Sequence, residues 1–214
     1  MKLFTKSFII SLSLFCSLQS IIQVQESQAA AYGMGISSFP LSPRTGTLTT
    51  EYSQFISNGS GMGLQARYTY KLSNQISLEG GVGMADSLKS KRIFAATDIE
   101  FYPDLENMPR LSVKPFVERA SEFNNTKNII GVAPTASKGY ILWGKTAYPF
   151  IALPMGAVLD SNAQAYNFRT HLALGLVGNL PLEGHEKLIV NLEGNLNIKN
   201  SSSALYLGLS YPLH

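Results

Sequence analysis

Residues 62–72, MGLQARYTYKL, alternate between apolar and polar side chains almost without exception. One face carries Met62, Leu64, Ala66, Tyr68, Tyr70 and Leu72, and the other carries Gly63, Gln65, Arg67, Thr69 and Lys71. A period of two predicts a β-strand with one apolar and one polar face. The fold class depends on whether the apolar face packs in a protein core or contacts lipid.

The same period continues from about residue 45 to the end of the chain. It predicts ten segments: 46–56, 62–72, 75–85, 92–102, 110–121, 128–145, 148–159, 165–180, 187–198 and 203–213. Segment 128–145 reads either as two short strands or as one strand broken at SKG, and segment 148–159 is apolar on both faces. Ten strands are preferred over eight because ten alternate loops and turns consistently and return both termini to the same side.

The composition favours lipid as the partner of the apolar face. Charged residues make up only 14% of the chain, against about 25% in an average soluble protein. A soluble barrel would turn its charges outward, whereas an outer-membrane barrel turns apolar rows outward and polar rows inward. We therefore predict an all-β fold, a single antiparallel up-and-down transmembrane β-barrel. The net charge of +3 is spread without a basic cluster, which argues against a nucleic-acid partner.

The first residues predict export. Lys2 and Lys6 precede an apolar run, and a small-residue site follows at residues 29–31, the layout of a secretory signal peptide. We expect residues 1–31 to be cleaved, 32–44 to form an irregular lead-in and 45–214 to form the barrel; an uncleaved anchor is the alternative. The only cysteine, Cys16, lies in the predicted signal peptide, so no disulfide is expected in the mature protein.

Several local features complete the expected barrel. Short turns such as SNQ should alternate with longer loops such as DSLKSK and SEFNNTKN, as between the two sides of the outer membrane. We expect Pro115, Pro134 and Pro154 at bulges or strand ends, because each removes a backbone donor. Aromatic residues near strand ends fit an interface girdle: Tyr52, Tyr68, Tyr70, Phe101, Tyr102, Tyr148, Phe150, Tyr166, Phe168 and Tyr211.

The chain resembles small bacterial outer-membrane β-barrel proteins of the OmpA-like and OmpW-like kind over residues 45–214. The end of the chain, YLGLSYPL at 206–213, is similar to the C-terminal signal read by the barrel-assembly machinery, with Gly208, Tyr211 and Leu213 at the spaced positions. The chain ends on His214, where that family usually has an aromatic residue. The resemblance implies residence in the outer membrane, contact with its lipid, and barrel-assembly machinery as a partner during biogenesis.

Charged residues on the polar faces are the candidate site. They are Glu51, Arg67, Glu79, Asp98, Glu100, Lys114, Glu118, Arg169, His171 and Glu193. Buried charges must be paired, so the simplest expectation is a lumen filled by ion pairs and hydrogen bonds. The functional alternative is a constricted pore, or a ligand pocket at its mouth.

Enzymatic interpretations find little support. His171, His185 and His214 lack the spacing of zinc ligands, and we expect no metal and no cofactor. Outer-membrane lipid A deacylases carry a histidine and a serine two residues apart, but residue 173 is Ala173. We predict a structural role or passive passage of small solutes. The alternatives are a secreted or periplasmic lipocalin-like barrel that binds an apolar ligand, and an outer-membrane lipid-modifying enzyme that uses His171.

Overall fold

The structure is a computed structural model that describes residues 39–56, 61–86, 90–122, 125–142, 144–160, 165–180, 184 and 187–213. The predicted signal peptide and residues 32–38 of the lead-in lie outside this part of the chain. Among the described residues, no helix has the length and apolarity to cross a bilayer.

The sheet of the described residues is antiparallel throughout, with twelve strands. They are β1 (Gly46–Phe55), β2 (Gly61–Lys71), β3 (Ile76–Ala85), β4 (Ser90–Tyr102), β5 (Arg110–Glu122), β6 (Asn125–Ser137), β7 (Tyr140–Leu142), β8 (Lys145–Ala152), β9 (Met155–Asp160), β10 (Ala165–Asn179), β11 (Ile189–Lys199) and β12 (Ala204–Leu213). Neighbours along the chain pair from β1 to β6, β12 pairs with β1, and β10 pairs with β11, which closes the sheet into a barrel.

The closed barrel has ten strand positions, because β8 and β9 occupy one of them and β7 continues β6 in another. Thr135 opposes Ala152 and Val132 opposes Met155, so β8 and β9 continue one register along β6. The same continuity holds along β10. The predicted ten-strand barrel is confirmed, and the eight-strand alternative is not formed.

Segment 128–145 is one strand broken at SKG. Ser137 opposes Phe150 and Tyr140 opposes Ala147, which is a single register on the two sides of the break. The short strand β7 therefore extends β6 beyond the barrel, and the hairpin with β8 protrudes from one end.

The expected position of the prolines is correct for one of three. Pro154 lies at the break between β8 and β9. Pro115 and Pro134 instead lie inside β5 and β6, paired with Val132 and Val113 without a register shift. Pro115 has no backbone N–H to donate toward β4. On that side the pairing stops after Ala96 and resumes at Ile99 in the same register.

The register shifts lie at other positions. One falls between Glu100 and Tyr102, where β4 carries an extra residue opposite β5. The other falls between Thr170 and His171, opposite β11. Bulges increase local twist, and neither position has a proline or glycine that would have predicted it.

The expected distribution of short turns and long loops is wrong, because the end predicted to carry the longer loops has the shorter connections. We call the end that holds Gly46 and Leu213 the termini end and the opposite end the far end. The far end has the connections 56–60, 86–89, 123–124, 161–164 and 200–203, whereas the termini end has 72–75, 103–109, 138–144 and 180–188. Polar residues on both sides of the 123–124 connection, Ser121, Glu122 and Asn125 to Asn128, continue the strand pairing of β5 and β6, so the far-end loops are shorter than their composition suggested.

The exposure of side chains in residues 62–72 shows which face of the strand meets lipid. Along β2 the apolar side chains are exposed on the outside, with Leu64 58% exposed, while Arg67 on the other face is 1% exposed. Rows of leucine, methionine and tyrosine are exposed in the same way on the other strands. Phe150 departs from the predicted girdle, because its side chain is buried inside the barrel.

Candidate functional site: the barrel lumen

All ten predicted site residues have their side chains inside the barrel. Nine of them, among them Glu51, Asp98 and Lys114, are buried, and Glu100 is half-buried. The alternation of each strand brings them there, because residues two apart share a face. The ten form separate clusters along the lumen.

The largest cluster crosses the lumen at mid-height. Arg67 binds Glu51 and lies 3.6 Å from Glu79, and the ammonium of Lys114 donates to both carboxylate oxygens of Glu79 at 3.0 and 3.1 Å. The amide of Gln65 also donates to Glu51. We call this set of five residues the central network. Its members come from β1, β2, β3 and β5, so it links side chains from strands that are not neighbours.

Three further ion pairs lie apart from the central network. Arg169 on β10 donates to Glu118 on β5 at 2.9 Å, although β6 and β9 separate the two strands in the sheet. Nearer the termini end, Arg110 binds Asp98 and, at 2.5 Å, Glu100. The pairing explains how charge is tolerated away from water.

The last two predicted residues, His171 and Glu193, lie on neighbouring strands. The Nδ1 atom of His171 is 3.3 Å from Ser201 Oγ, and its Nε2 atom has no partner among the described residues. Glu193 is 1% exposed on β11. Sequence spacing could not reveal the contact with Ser201, since the serine lies thirty positions further along the chain.

Four buried cations were missed in the sequence: Lys71, Arg92, Arg110 and Lys127. The alternation of the strands contained the signal for three of them, because each lies an even number of positions from a predicted inward residue of the same strand. Lys71 shares the face of Arg67, Arg92 that of Asp98, and Arg110 that of Lys114. Arg92 extends the central network, since its guanidinium donates to Gln65 Oε1 at 2.5 Å.

The inward side chains include two chemically different groups, which we call the polar wall and the apolar wall. The strands of each wall also carry inward residues of the other kind, such as Tyr206 on β12 and Glu118 on β5. The polar wall is formed by inward residues of β11, β12, β1, β2 and β3: Thr47, Thr49, Glu51, Ser53, Gln65, Arg67, Thr69, Ser77, Glu79, Asn191, Glu193, Asn195 and Ser210. The apolar wall is a contiguous cluster on β4, β5, β6 and β8 to β10: Phe94, Ala96, Phe116, Ile129, Ala133, Phe150, Ala152, Val158 and Ala173. The expected polar filling therefore describes only part of the lumen. The apolar wall explains why segment 148–159 is apolar on both faces.

Inward glycines make room for the rings of the apolar wall. Phe116 lies opposite Gly131 and Phe150 lies opposite Gly175 across neighbouring strands. A Cβ on either glycine would approach the ring to 2.5 Å. Each ring therefore lies across its glycine, which is the arrangement by which aromatic residues cover strand glycines.

The lead-in packs against inward residues at the termini end. Phe39 and Leu41 pack against Val177 and Ile189, two inward residues near that end. The ring of Phe39 also meets that of Tyr148 edge-on, with 5.7 Å between centroids. We call Phe39 and Leu41 the cap.

Exposed apolar rows outside and paired charges inside are the inverse of a soluble barrel. A closed sheet also satisfies every strand edge, as a span through hydrocarbon requires. The protein is an integral β-barrel of the outer-membrane type. The lipocalin-like alternative fails because Arg67, Glu79, Arg169 and Glu193 are buried around the axis rather than exposed.

Comparison with protein-family models gives no match, and neither does comparison with curated proteins. Solved structures give similar barrels. The KdgM porin in complex with disordered oligogalacturonate is 10% identical, with 78% of this chain and 99% of that chain covered and a TM-score of 0.40. Ail, the attachment invasion locus protein of Yersinia pestis, is 12% identical, with 80% and 100% covered and a TM-score of 0.30. A de novo designed transmembrane β-barrel is 12% identical, with 82% and 100% covered and a TM-score of 0.41.

Proposed function

We propose that the protein is a closed, non-enzymatic scaffold of the outer membrane rather than an open pore. The observation that carries this proposal is the central network, whose Glu51, Arg67, Glu79 and Lys114 side chains are 0% exposed at mid-height. The rings of Phe94, Phe116 and Phe150 lie inside the lumen as part of the apolar wall. A lumen filled by side chains has no continuous water path for ions.

Conductance across a planar bilayer tests this proposal. The purified protein should insert without a stable open current, and heat-modifiable mobility on a gel should show that the inserted barrel is folded. The variant Phe39→Ser/Leu41→Ser removes the cap and should remain silent, because the central network still closes the lumen. A stable current from the unaltered protein would overturn the scaffold assignment.

A second candidate function is slow passage of small polar solutes along the polar wall. It is favoured by buried polar atoms without hydrogen-bond partners among the described residues, on Asn191, Asn195, Thr47 and Thr69. Such groups are suited to exchange bonds with a moving solute or with water. Swelling of liposomes in small sugars, faster with the cap variant than with the unaltered protein, would support this second function over the first.

The proposal that the protein is not an enzyme rests on the surroundings of His171. Its only described polar partner is Ser201, and both side chains are buried inside the barrel, where a lipid acyl chain has no access from the outer face. Hydrolysis of phospholipid or lipid A by the folded protein, lost in His171→Ala but kept in the matched Asn195→Ala variant, would overturn it.

We also propose that the C-terminal strand is read by the barrel-assembly machinery. Tyr211 and Leu213 support this, because both point outward at the termini end and are about half exposed. Gly208 has a structural role besides, since a Cβ there would lie 3.0 Å from Glu51 Cγ. Tyr211→Ala/Leu213→Ala should lower the amount of folded barrel in the membrane more than the matched Leu205→Ala/Leu207→Ala. Equal effects would contradict a signal at these positions.

A further inference from the structure

Two cations interrupt the apolar outer surface near the far end. Lys91 on β4 and Arg119 on β5 point outward and are exposed. Arg92, the residue after Lys91, points inward instead. Neither forms an ion pair with a carboxylate among the described residues. An unpaired cation at the edge of a hydrocarbon layer is costly unless it reaches an anion or water at the interface.

The sheet register places these cations side by side. Lys91 pairs with Ser121, and Arg119 precedes Ser121 by two residues on β5. Diagonal neighbours of this kind are about 7–8 Å apart at Cα. Both long side chains can therefore reach one phosphate group placed between them at the head-group level.

An apolar groove lies on each side of this cation pair. One groove is lined by Ile93, Val117, Ile130 and Leu159, with Arg119 at its border. The other is lined by Tyr52, Met62, Leu64 and Met84, and it borders Lys91 and Asp86. Both grooves face outward, so acyl chains of the bilayer can lie in them.

We propose that Lys91 and Arg119 form a site for an acidic phospholipid. Its phosphate is held between the two cations, and its acyl chains lie in the flanking grooves. Charge complementarity favours an acidic phospholipid at this site. Its anionic head group matches the two unpaired cations, and its two acyl chains match the apolar grooves on either side. Asp86 at the border of one groove disfavours a head group that extends to that side, which restricts the phosphate to the space between the cations.

Native mass spectrometry of the folded, detergent-solubilised protein tests the site. Phosphatidylglycerol and phosphatidylcholine with identical acyl chains are the probes. Phosphatidylglycerol should bind at least about fivefold more tightly, the size of effect expected for one basic side chain near an anionic lipid. Lys91→Gln/Arg119→Gln should abolish this preference, whereas the matched Lys199→Gln, an exposed cation at the same end that borders neither groove, should retain it.

Two results would overturn the proposal. One is equal binding of the two lipids, or a preference that the double variant retains. The other is binding of sn-glycerol 3-phosphate as tight as that of phosphatidylglycerol, because it would assign a soluble anion rather than a lipid to the site. Heat-modifiable mobility of each variant shows that the barrel is intact, and both positions are exposed, so folding is not at risk.

Discussion

The polar wall and the apolar wall surround one lumen, but different interactions fill them. On the polar wall, the carboxylates of Glu51 and Glu79 bind Arg67 and, reaching across from β5, Lys114, and their fit depends on charge balance. On the apolar wall, rigid rings such as Phe116 and Phe150 fit against glycines, and their fit depends on shape. The two walls should therefore be destabilised by different changes: the polar wall by lost charge partners and the apolar wall by added volume.

The largest effect is expected from removing one carboxylate of the polar wall. Glu79→Ala leaves the Lys114 ammonium without its carboxylate, and an uncompensated buried charge costs about 3–5 kcal/mol. We expect that loss in the free energy of unfolding, measured by urea titration in lipid vesicles. Glu106→Ala, at an exposed position, is the control and should change little.

The double variant Glu79→Leu/Lys114→Met sharpens this prediction. Removing both partners leaves no unpaired charge at that site, so the double variant should be more stable than Glu79→Ala alone. If the double variant is as unstable as the two single variants combined, charge balance is not what stabilises the polar wall.

A smaller effect is expected from adding one methyl group to the apolar wall. In Gly175→Ala the new Cβ would lie 2.5 Å from the Phe150 ring and 2.6 Å from the Leu192 carbonyl oxygen. Overpacking of this kind costs about 1–3 kcal/mol, and the shift should appear in the same urea titration.

Gly83→Ala is the matched substitution near the polar wall. There the nearest atom is Nε of Arg92 at 2.9 Å, on a flexible side chain that can move aside. We expect Gly83→Ala to cost less than Gly175→Ala. The reverse order would mean that rigid rings do not determine the tolerance of the apolar wall.

The smallest effect is expected at an amide of the polar wall. Neither polar side-chain atom of Asn191 has a hydrogen-bond partner among the described residues. Replacing an unsatisfied buried polar group by an apolar group of similar shape is close to neutral, so Asn191→Leu should stay within about 1 kcal/mol of the unaltered protein. A large loss of stability would show that bound water satisfies this amide.

Local pattern was sufficient for the facing of each strand. The alternation in residues 62–72 predicts that Arg67 points inward and Leu64 outward, and the same parity places the other nine site residues inside. It would also have identified Lys71, Arg92 and Arg110. The inward position of these three cations is therefore encoded in the sequence by the alternation of their strands.

Contacts between distant strands could not be predicted in this way. Arg169 meets Glu118 only because the closed barrel brings β10 across from β5, and no sequence period encodes that pairing. The division into two walls and the packing of the cap depend on closure in the same way. Composition misled at the loops because polar residues can continue a strand beyond the hydrocarbon layer.

Site-directed spin labelling along residues 62–70 tests the inside-out arrangement most directly. The only cysteine, Cys16, lies in the predicted signal peptide, so single labels can be introduced by substitutions such as Leu64→Cys and Gln65→Cys. In lipid vesicles, labels at positions 62, 64, 66 and 68 should be accessible to dissolved oxygen, which concentrates in the hydrocarbon layer. Labels at 63, 65, 67 and 69 should be shielded from it. The opposite alternation, with 63, 65, 67 and 69 facing water outside and the apolar row packed in a core, would contradict the membrane assignment.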